Sequence, residues 1–306
     1  MPLPTLHDVH VDAVMTSISI GYSNPEYMNT QVFSTIPVMK KSDYYFTFPK
    51  QAWQRNVVAQ RAPGAIAERA EYDLTTGTYN CMTYAVAKVV PDEVRENADA
   101  PLRPDVEAAE FVTDALLRAQ EIRVANLTTG GSGLWSYSAT PNTAWSSDLS
   151  DPWGDIDTAV NGVVSSIGRT PNVAIMSWDV WRHLRQHPDF LDRVKYTRPG
   201  GRVDPSDLVD WFGFSKVLIG TQLWDKAMEG QTASPAYIWG DQFWCGYVPP
   251  SPSLRTPAAG YVLEWKTRKI ARFREDQRYQ DVFEASHSTD EVIAASDAGA
   301  VLYNCV

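Results

Sequence analysis

Cysteine is scarce in this chain of 306 residues, and none of it forms a pair. Cys81, Cys245 and Cys305 lie far apart, and no C-x-x-C motif occurs. Zinc sites and redox-active dithiols usually need such a motif, so neither is indicated here. We interpret the three cysteines as buried free thiols of a protein made in a reducing cytosol.

Basic residues are also in deficit, with 27 Lys and Arg against 37 Asp and Glu, which gives a net charge of −10. A general nucleic-acid-binding protein would carry the opposite sign. The first basic residue is Lys40, so we expect neither a secretory signal nor an Arg-rich transit peptide. No apolar run approaches the ~20 residues that a membrane helix needs. These absences predict a soluble cytoplasmic protein.

The composition that remains is that of a folded protein, with 44% apolar and 21% charged residues. At roughly 150 residues per domain, the length corresponds to about two domains. No internal repeat and no low-complexity segment is present.

The first 90 residues show little capacity to form a core of their own. Residues 1–43 have no sustained helical period and read as an extended arm, which must lie on its own fold or on a neighbouring subunit. Tyr44 to Phe48 is a predicted strand. Residues 53–90 are predicted to be a long two-stranded excursion with a bend at 75–78, and Arg61 lies in a predicted turn within it.

One long helix is predicted to begin at Pro104-Asp105 and to run for about 24 residues, with Arg118 and Arg123 in its last turns. The uncharged stretch 124–147 that follows reads as loop or short strand. A compact α/β alternation is expected next, and antiparallel strands after it. The predicted elements are a helix from Asp151-Pro152 to Gly168, strands at 172–177 and 216–220, helices at 178–187 and 205–212, a strand or strand pair at 236–248, and strands at 260–265, 270–274, 279–285, 291–295 and 300–305.

No catalytic or cofactor motif emerges from the chain. His183 and His187 have the i, i+4 spacing of a zinc pair, but no Glu follows the first and no third ligand is indicated. The glycine run 129–133 lacks the Lys-Ser or Lys-Thr of a phosphate loop. The carboxylates Asp148, Asp151, Asp155 and Asp157 are better explained as capping a helix start than as a general acid and base. We therefore predict no cofactor, no metal and no enzymatic activity.

The strongest electrostatic feature is a basic cluster in an acidic chain. Its members are Lys266, Arg268, Lys269, Arg272, Arg274 and Arg278. It could contact phosphate, or it could form ion pairs with acidic residues of a neighbour such as Glu107 and Glu110. The negative net charge favours the second interpretation. With Arg61 added, these nine residues are the predicted inter-subunit contacts.

The order of elements, an arm, a ribbon, a long helix, an α/β lobe and returning strands, resembles the major capsid proteins of tailed bacteriophages, with the Hong-Kong-97-type fold. The motifs that carry the resemblance are Trp145, Asp151-Pro152, Asp155-Ile156, Pro171 to Met176, Trp181, Leu184, His187-Pro188, Arg193, Lys195-Tyr196, Val217 to Gly220, Trp239 to Asp241, Tyr247 to Pro250 and Gly260-Tyr261. Their ordered series, rather than any single one, makes the resemblance specific.

The resemblance implies an α+β fold and a division of the chain along the family's lines. The implied segments are an N-terminal arm (1–45), an extended loop formed by a long β-hairpin with flanking strands (46–90), a peripheral domain with a spine helix (91–145), an α/β axial domain (146–255), return strands of the peripheral domain (256–290) and a C-terminal strand (291–306).

The resemblance also implies a function and partners. The family self-assembles into hexamers and pentamers, which form an icosahedral head shell around double-stranded DNA that is not read by sequence. Portal, scaffold or decoration proteins are further partners of such a shell, which is assembled in the host cytoplasm and forms part of the virion. The chain has no long charged helical segment before the arm, which indicates either a separate scaffold protein or a pro-segment that has already been removed. Two other functions stay open on the residues alone: a hydrolase that uses carboxylates of 148–157, and a nucleic-acid-binding module that uses 266–278.

A well-known member of the family links a lysine of the extended loop to an asparagine of a neighbour by an isopeptide bond. No lysine lies between Lys50 and Lys88 here. We therefore predict that mature particles give one band of about 34 kDa on SDS gel electrophoresis, the mass of the single chain. A ladder of covalent multimers would contradict this expectation.

Overall fold

The computed structural model describes residues 27–47, 75–98, 102–131, 133–196, 201–252 and 256–306, together with isolated residues between 54 and 69. The helices of the described residues are α1 (Asn29–Val32), α2 (Asp92–Glu96), α3 (Pro104–Thr129), α4 (Pro152–Ile167), α5 (Trp178–Leu184), α6 (Pro188–Val194) and α7 (Pro205–Phe212). The strands are β1 (Ser34–Pro37), β2 (Ser42–Thr47), β3 (Thr75–Asn80), β4 (Met82–Pro91), β5 (Tyr137–Ala139), β6 (Val173–Ser177), β7 (Lys216–Gly220), β8 (Leu223–Asp225), β9 (Pro235–Tyr237), β10 (Phe243–Gly246), β11 (Gly260–Glu275), β12 (Gln280–Ile293) and β13 (Gly299–Leu302).

An elongated sheet with the strand order β1-β11-β12-β4 forms one part of the molecule. β11 and β12 form a long antiparallel hairpin, β4 continues it antiparallel to β12, and β1 adds to β11 in parallel. Helix α3 packs on β4 and β12, where Ala108, Val112 and Leu116 meet Phe283 and Ala285. The helix is 26 residues long and contacts both β4 and β12.

A central sheet with the order β5-β13-β10-β6-β7 forms the other part. β13, near the end of the chain, pairs with both β5 and β10, so it completes a sheet whose other strands come from 137–246. The core that contains the fully buried Trp145, Phe190, Phe243 and Leu302 includes residues of this sheet and of α4 to α7.

Helix α4 begins and ends as its sequence predicts. The Asp151 carboxylate accepts a hydrogen bond from the backbone amide of Gly154 at 2.8 Å. Gly168 ends the helix at φ 66°, a left-handed conformation that glycine adopts without steric cost. The strands at 173–177 and 216–220 and the helix at 205–212 also match the prediction.

The predicted bend at 75–78 is wrong, because these residues begin strand β3, which pairs with β2. Gly77 faces Tyr45 in the register, and a Cβ at position 77 would overlap the tyrosine ring. The glycine therefore makes room for an aromatic side chain instead of forming a turn. The chain between β2 and β3, where most of the predicted ribbon falls, lies outside the described residues apart from isolated positions.

Helix α3 extends six residues into the stretch that was predicted to be loop. Those residues are uncharged because they are mostly buried, as Val124, Ala125, Thr128 and Thr129 show. The hydroxyl of Thr128 donates a hydrogen bond to the carbonyl of Val124 at 2.9 Å, so this buried polar group has a partner within the helix. The last turn therefore holds no basic residue, and the prediction that Arg118 and Arg123 lie at the end of the helix is wrong.

Two further boundaries differ from the sequence prediction. The helix predicted at 178–187 ends at Leu184, because Pro188 begins a separate helix, α6, which His187 caps. The short strands predicted between 260 and 295 merge into β11 and β12. Register irregularities between Glu264 and Lys269 interrupt the side-chain alternation there without ending the strand.

The part of the predicted arm that the structure describes lies on its own fold. Val32 and Phe33 are completely buried, and Phe33 meets the Trp244 ring edge-on at 6.4 Å. Residues 1–26 lie outside the described residues.

A buried carboxylate attaches this segment to the long helix. Glu121 of α3 is fully buried, and its oxygens accept hydrogen bonds from the backbone amides of Met28 and Asn29 and from the indole nitrogen of Trp239, at 2.7–3.2 Å. Burial raises the pKa of Glu121, against these three donors, which favour the charged form. The carboxylate joins three segments that are distant in sequence, and we call this arrangement the Glu121 anchor.

We predict that Glu121→Gln destabilises the protein by about 1–3 kcal/mol, because the amide NH2 faces a donor and leaves a buried N–H without an acceptor. The measurement is chemical denaturation of the purified chain. Glu107→Gln, on the exposed face of the same helix, is the matched control and is expected to change stability by no more than about 0.5 kcal/mol. Equal effects of the two substitutions would contradict the anchor.

Candidate subunit-contact surface

The far end of the elongated sheet carries a cluster of ion pairs centred on Asp281 of β12. The Asp281 side chain is only 7% exposed, and one of its oxygens lies 2.5 Å from Arg272 and 2.7 Å from Arg95. Arg95 also contacts Asp105 at 2.8 Å, in the first turn of α3. The cluster therefore connects β12, β11, α2 and the start of α3 within one chain.

A third arginine, Arg274, completes the cluster. Both terminal nitrogens of Arg274 lie 2.5 Å from the two oxygens of Asp92, which is the bidentate arrangement that guanidinium and carboxylate prefer. We call Asp92, Arg95, Asp105, Arg272, Arg274 and Asp281 the charged cluster.

Hydrogen bonding to arginine shifts the titration of this cluster. The contact with Arg272 lowers the pKa of Asp281, and the contact with Arg274 lowers the pKa of Asp92. The hydrogen bond to Asp105 raises the pKa of Arg95, and the one to Asp92 raises that of Arg274. These shifts favour the charged forms of Asp92, Arg95, Arg274 and Asp281. Two of the predicted inter-subunit arginines, Arg272 and Arg274, pair within their own chain.

The other basic residues of β11 point to solvent. Lys266, Arg268 and Lys269 are exposed and form no ion pair with any residue that the structure describes. The Lys266 ammonium lies over the Trp265 ring, 4.2 Å from its centroid. Arg278 is exposed in the short turn between β11 and β12, and Arg61 is exposed among the isolated described residues.

The predicted acidic counterparts lie on the outer face of α3. Glu107 and Glu110 are both exposed, beside Val106 and Phe111, whose side chains are 47% and 55% exposed. Asp105, at the start of this helix, lies 3.6 Å from Arg272 of β11. An acidic and apolar patch and a basic strand are therefore both exposed among the described residues.

The residues considered as catalytic candidates make contacts within the fold. Asp151 caps α4, and Asp155 accepts a hydrogen bond from the Trp145 indole at 2.9 Å. His183 lies in α5, whereas His187 is buried beside Ser150 at 3.1 Å, so the predicted pair does not share one helix. Among the described residues, no group of three His, Cys, Asp or Glu side chains could hold a metal ion.

The glycine run and the cysteines also have structural positions. Gly130 ends helix α3, and Gly133 adopts φ 91° in the connection to β5. The three cysteines are free and buried, as predicted. Burial raises the pKa of Cys245 to about 12, so this thiol stays protonated and unreactive at neutral pH.

Sequence reasoning missed the residues that hold these elements together. Glu121 lies in the buried stripe of α3 between Leu116 and Val124, where a charge at a core position is a readable signal. Asp281 of the charged cluster carries no such local signal, since its partners are 9 and 186 residues away. Arg123 is similar, because it pairs with Glu291 at 3.0 Å and lies over the Tyr84 ring.

Within the described part of the chain, no helix is long and apolar enough to span a bilayer. No protein-family model matches the sequence. The chain is 25% identical over 303 residues to the major capsid protein of Burkholderia phage BcepMu, and the match covers 94% of both chains.

Solved structures give the same picture. The chain resembles a phage-related protein from Bordetella bronchiseptica RB50, with a TM-score of 0.72, 23% identity and 96% and 97% of the two chains covered. It also resembles the capsid of a native GTA particle, with a TM-score of 0.60, 14% identity and 95% and 98% covered. A protein of Mycobacterium phage Cain gives a TM-score of 0.59 at 12% identity, with 98% of each chain covered. These likenesses confirm the α+β, Hong-Kong-97-type fold and the resemblance to phage major capsid proteins.

We predict that acid removes the stabilisation supplied by the charged cluster. The pKa of Asp281 is lowered from its ordinary 3.8, so its contribution is fully present above about pH 4 and is lost as pH falls through the lowered value. Asp281→Asn should therefore lower Tm at pH 7, and the difference from the parent chain should shrink below pH 3.8. Thermal denaturation across this range is the measurement. Asp192→Asn, at a side chain that is 69% exposed, is the control with little effect at either pH.

Proposed function

We propose that this chain, a relative of phage major capsid proteins with the Hong-Kong-97-type fold, assembles into hexamers and pentamers that close an icosahedral shell around double-stranded DNA. The observation that carries the proposal is that the match to the Burkholderia phage capsid protein spans 94% of both chains, so no large part of either chain is left for a separate function.

The exposed surface of the elongated sheet supports assembly. Five large apolar side chains of β4, α3 and β11 are between 44% and 55% exposed: Val89, Val106, Phe111, Ile270 and Phe273. A subunit that presents several large apolar side chains on a thin extension gains stability when neighbours cover them. Interfaces of permanent assemblies bury on the order of 2,000 Å² or more, which an extension of this shape can supply.

The charge distribution supports a shell that does not bind the enclosed DNA tightly. The net charge is −10, and Arg272 and Arg274, the centre of the predicted basic cluster, are neutralised by Asp281 and Asp92. The remaining isolated cations are too few for tight, salt-sensitive binding along DNA. Such a surface encloses DNA and lets it move.

The contacts between copies, on this proposal, join surfaces that the described residues of one chain leave exposed. Glu107 and Glu110 meet cations of a neighbour, drawn from Arg61, Lys266, Arg268, Lys269 and Arg278. The segments predicted for arm, loop, peripheral domain and axial domain are part of the same proposal. So are assembly in the host cytoplasm, a place in the virion, and portal, scaffold or decoration proteins as further partners.

We predict that the expressed chain forms capsomers, tubes or shells visible by negative-stain microscopy, and that Glu107→Lys with Glu110→Lys lowers the particle yield at least about tenfold. Reversing both charges places cations opposite cations, which opposes association. Sedimentation measures the yield.

Asp148→Lys with Asp157→Lys makes the same change of net charge at two other exposed carboxylates and is the matched control. An assembled fraction equal to that of the parent chain in the Glu107 and Glu110 variant would remove this contact from the proposal. A parent chain that stays a small oligomer under all conditions would contradict the shell function itself.

A further inference from the structure

Strand β11 is bordered by another strand over only part of one side. On that side β1 pairs with Tyr261 to Glu264, and a hydrogen bond from the Val38 amide to the Glu264 carbonyl ends the contact. From 266 to 275 the strand pairs with β12 on its other side, and no described segment pairs along this one. Every residue from 266 to 274 is exposed. We call the unpaired side of residues 266–275 the open edge.

An edge of this kind is a place where two copies of one chain can pair. Its backbone N–H and C=O groups are aligned for a ladder with any extended strand that approaches. The open edge of a second copy has the same length and the same outward groups, so two edges can pair about a two-fold axis. Ile270 and Phe273, which are 47% and 44% exposed, add apolar surface to such a contact. A second copy is therefore a partner that the backbone of this edge fits.

Three cations occupy the first part of the open edge. Lys266, Arg268 and Lys269 are exposed, and none of them forms an ion pair with a residue that the structure describes. Farther along the strand, Arg272 and Arg274 are neutralised within their own chain. If two open edges paired about Arg268, three unneutralised cations from each copy would meet along about 10 Å of strand. Like charges opposite one another on paired strands are destabilising, so the side chains oppose what the backbone allows.

The same short segment departs from regular strand geometry. The register against β12 shifts between Glu264 and Lys266, and again between Lys266 and Lys269. Such irregularities bend and twist a strand, so fewer of its edge groups lie in line for a partner. The cations and the irregular backbone thus coincide where the contact with β1 ends and the open edge begins.

We propose that Lys266, Arg268 and Lys269 prevent the open edges of two subunits from pairing with each other while the subunits are unassembled. The net charge of −10 does not account for these residues, because three cations reduce the overall repulsion between copies. Their effect is local, since they lie on an edge where two backbones could form a ladder. This role precedes the contacts proposed above, and it does not depend on the closure of a shell.

The test replaces the three cations by threonine, a neutral residue that favours strands. Lys266→Thr with Arg268→Thr and Lys269→Thr changes the net charge from −10 to −13, which by itself opposes aggregation. We expect the opposite result: subunits diluted from denaturant into neutral buffer form aggregates that bind thioflavin T at least about ten times faster than the parent chain. In these aggregates the backbone amides of 266–275 are expected to exchange hydrogen slowly.

A matched control separates the open edge from net charge. Lys195→Thr with Arg202→Thr and Lys226→Thr makes the same change of net charge at three exposed cations that lie outside the strands. This variant is expected to aggregate no faster than the parent chain. Equal aggregation of the two threonine variants would assign the effect to net charge and contradict the proposal.

A second variant keeps the test decisive if three threonines disturb the fold. Lys266→Glu with Arg268→Glu and Lys269→Glu alters the same positions but leaves like charges on both edges, so it is expected to stay free of such aggregates. If the glutamate variant aggregates as fast as the threonine variant, the three cations stabilise the fold instead, and the proposal is wrong.

Two further results would overturn the proposal. A threonine variant of β11 that aggregates no faster than the parent chain would mean that the open edge is closed to pairing without the cations. Aggregates in which residues 266–275 exchange hydrogen fast would place the contact elsewhere in the chain. Neither result bears on the proposed shell, whose own failure appears as a parent chain without particles.

Discussion

The fold depends on one buried carboxylate that has three donors and no cation. Glu121 accepts hydrogen bonds from the backbone amides of Met28 and Asn29 and from the indole of Trp239. The long helix, the segment around α1 and the loop before β10 therefore meet at a single side chain. Burying an ionised carboxylate is costly unless several hydrogen bonds compensate for lost hydration. That requirement fixes the relative positions of the two sheets, since α3 lies on one of them and Trp239 leads into the other.

The charged cluster, at the far end of the sheet, holds its carboxylates by ion pairs with arginine instead. The pKa of Glu121 is raised by burial, whereas the pKa of Asp281 is lowered by the arginine that contacts it. Glu121 therefore holds its segments through dipoles, which salt hardly screens, and Asp281 holds its segments through full charges near solvent, which salt screens more. The two ends of α3 are attached by interactions with different sensitivities to solution conditions.

Much of the fold could be predicted from local sequence patterns, and the predictions that were wrong share a cause. The caps of α4, the buried strand β6 and the start of α3 follow from Asp151, from the apolar run after Asn172 and from Pro104, all of which act within a few residues. The errors at Gly77 and at the irregular part of β11 arise from partners distant in sequence: a tyrosine ring on β2, and the register against β12. Local pattern cannot reveal such tertiary constraints.

The same distinction applies to the contact surface. The basic composition of β11 was visible in the sequence, but which of its cations are neutralised depends on Asp92 and Asp281. The basic surface could be predicted from the sequence, but only the fold shows which of its cations are paired and which are exposed.

The position of β13 has a consequence for the folding of the central sheet. Residues 299–302 lie between β5 and β10, so β5 joins the sheet only through β13. Ala300 pairs with Tyr137, which is distant in sequence, so this pairing must close a long loop before its hydrogen bonds form. The β11–β12 hairpin closes only a short turn. The two sheets of the molecule therefore differ in the entropy that must be lost before they form.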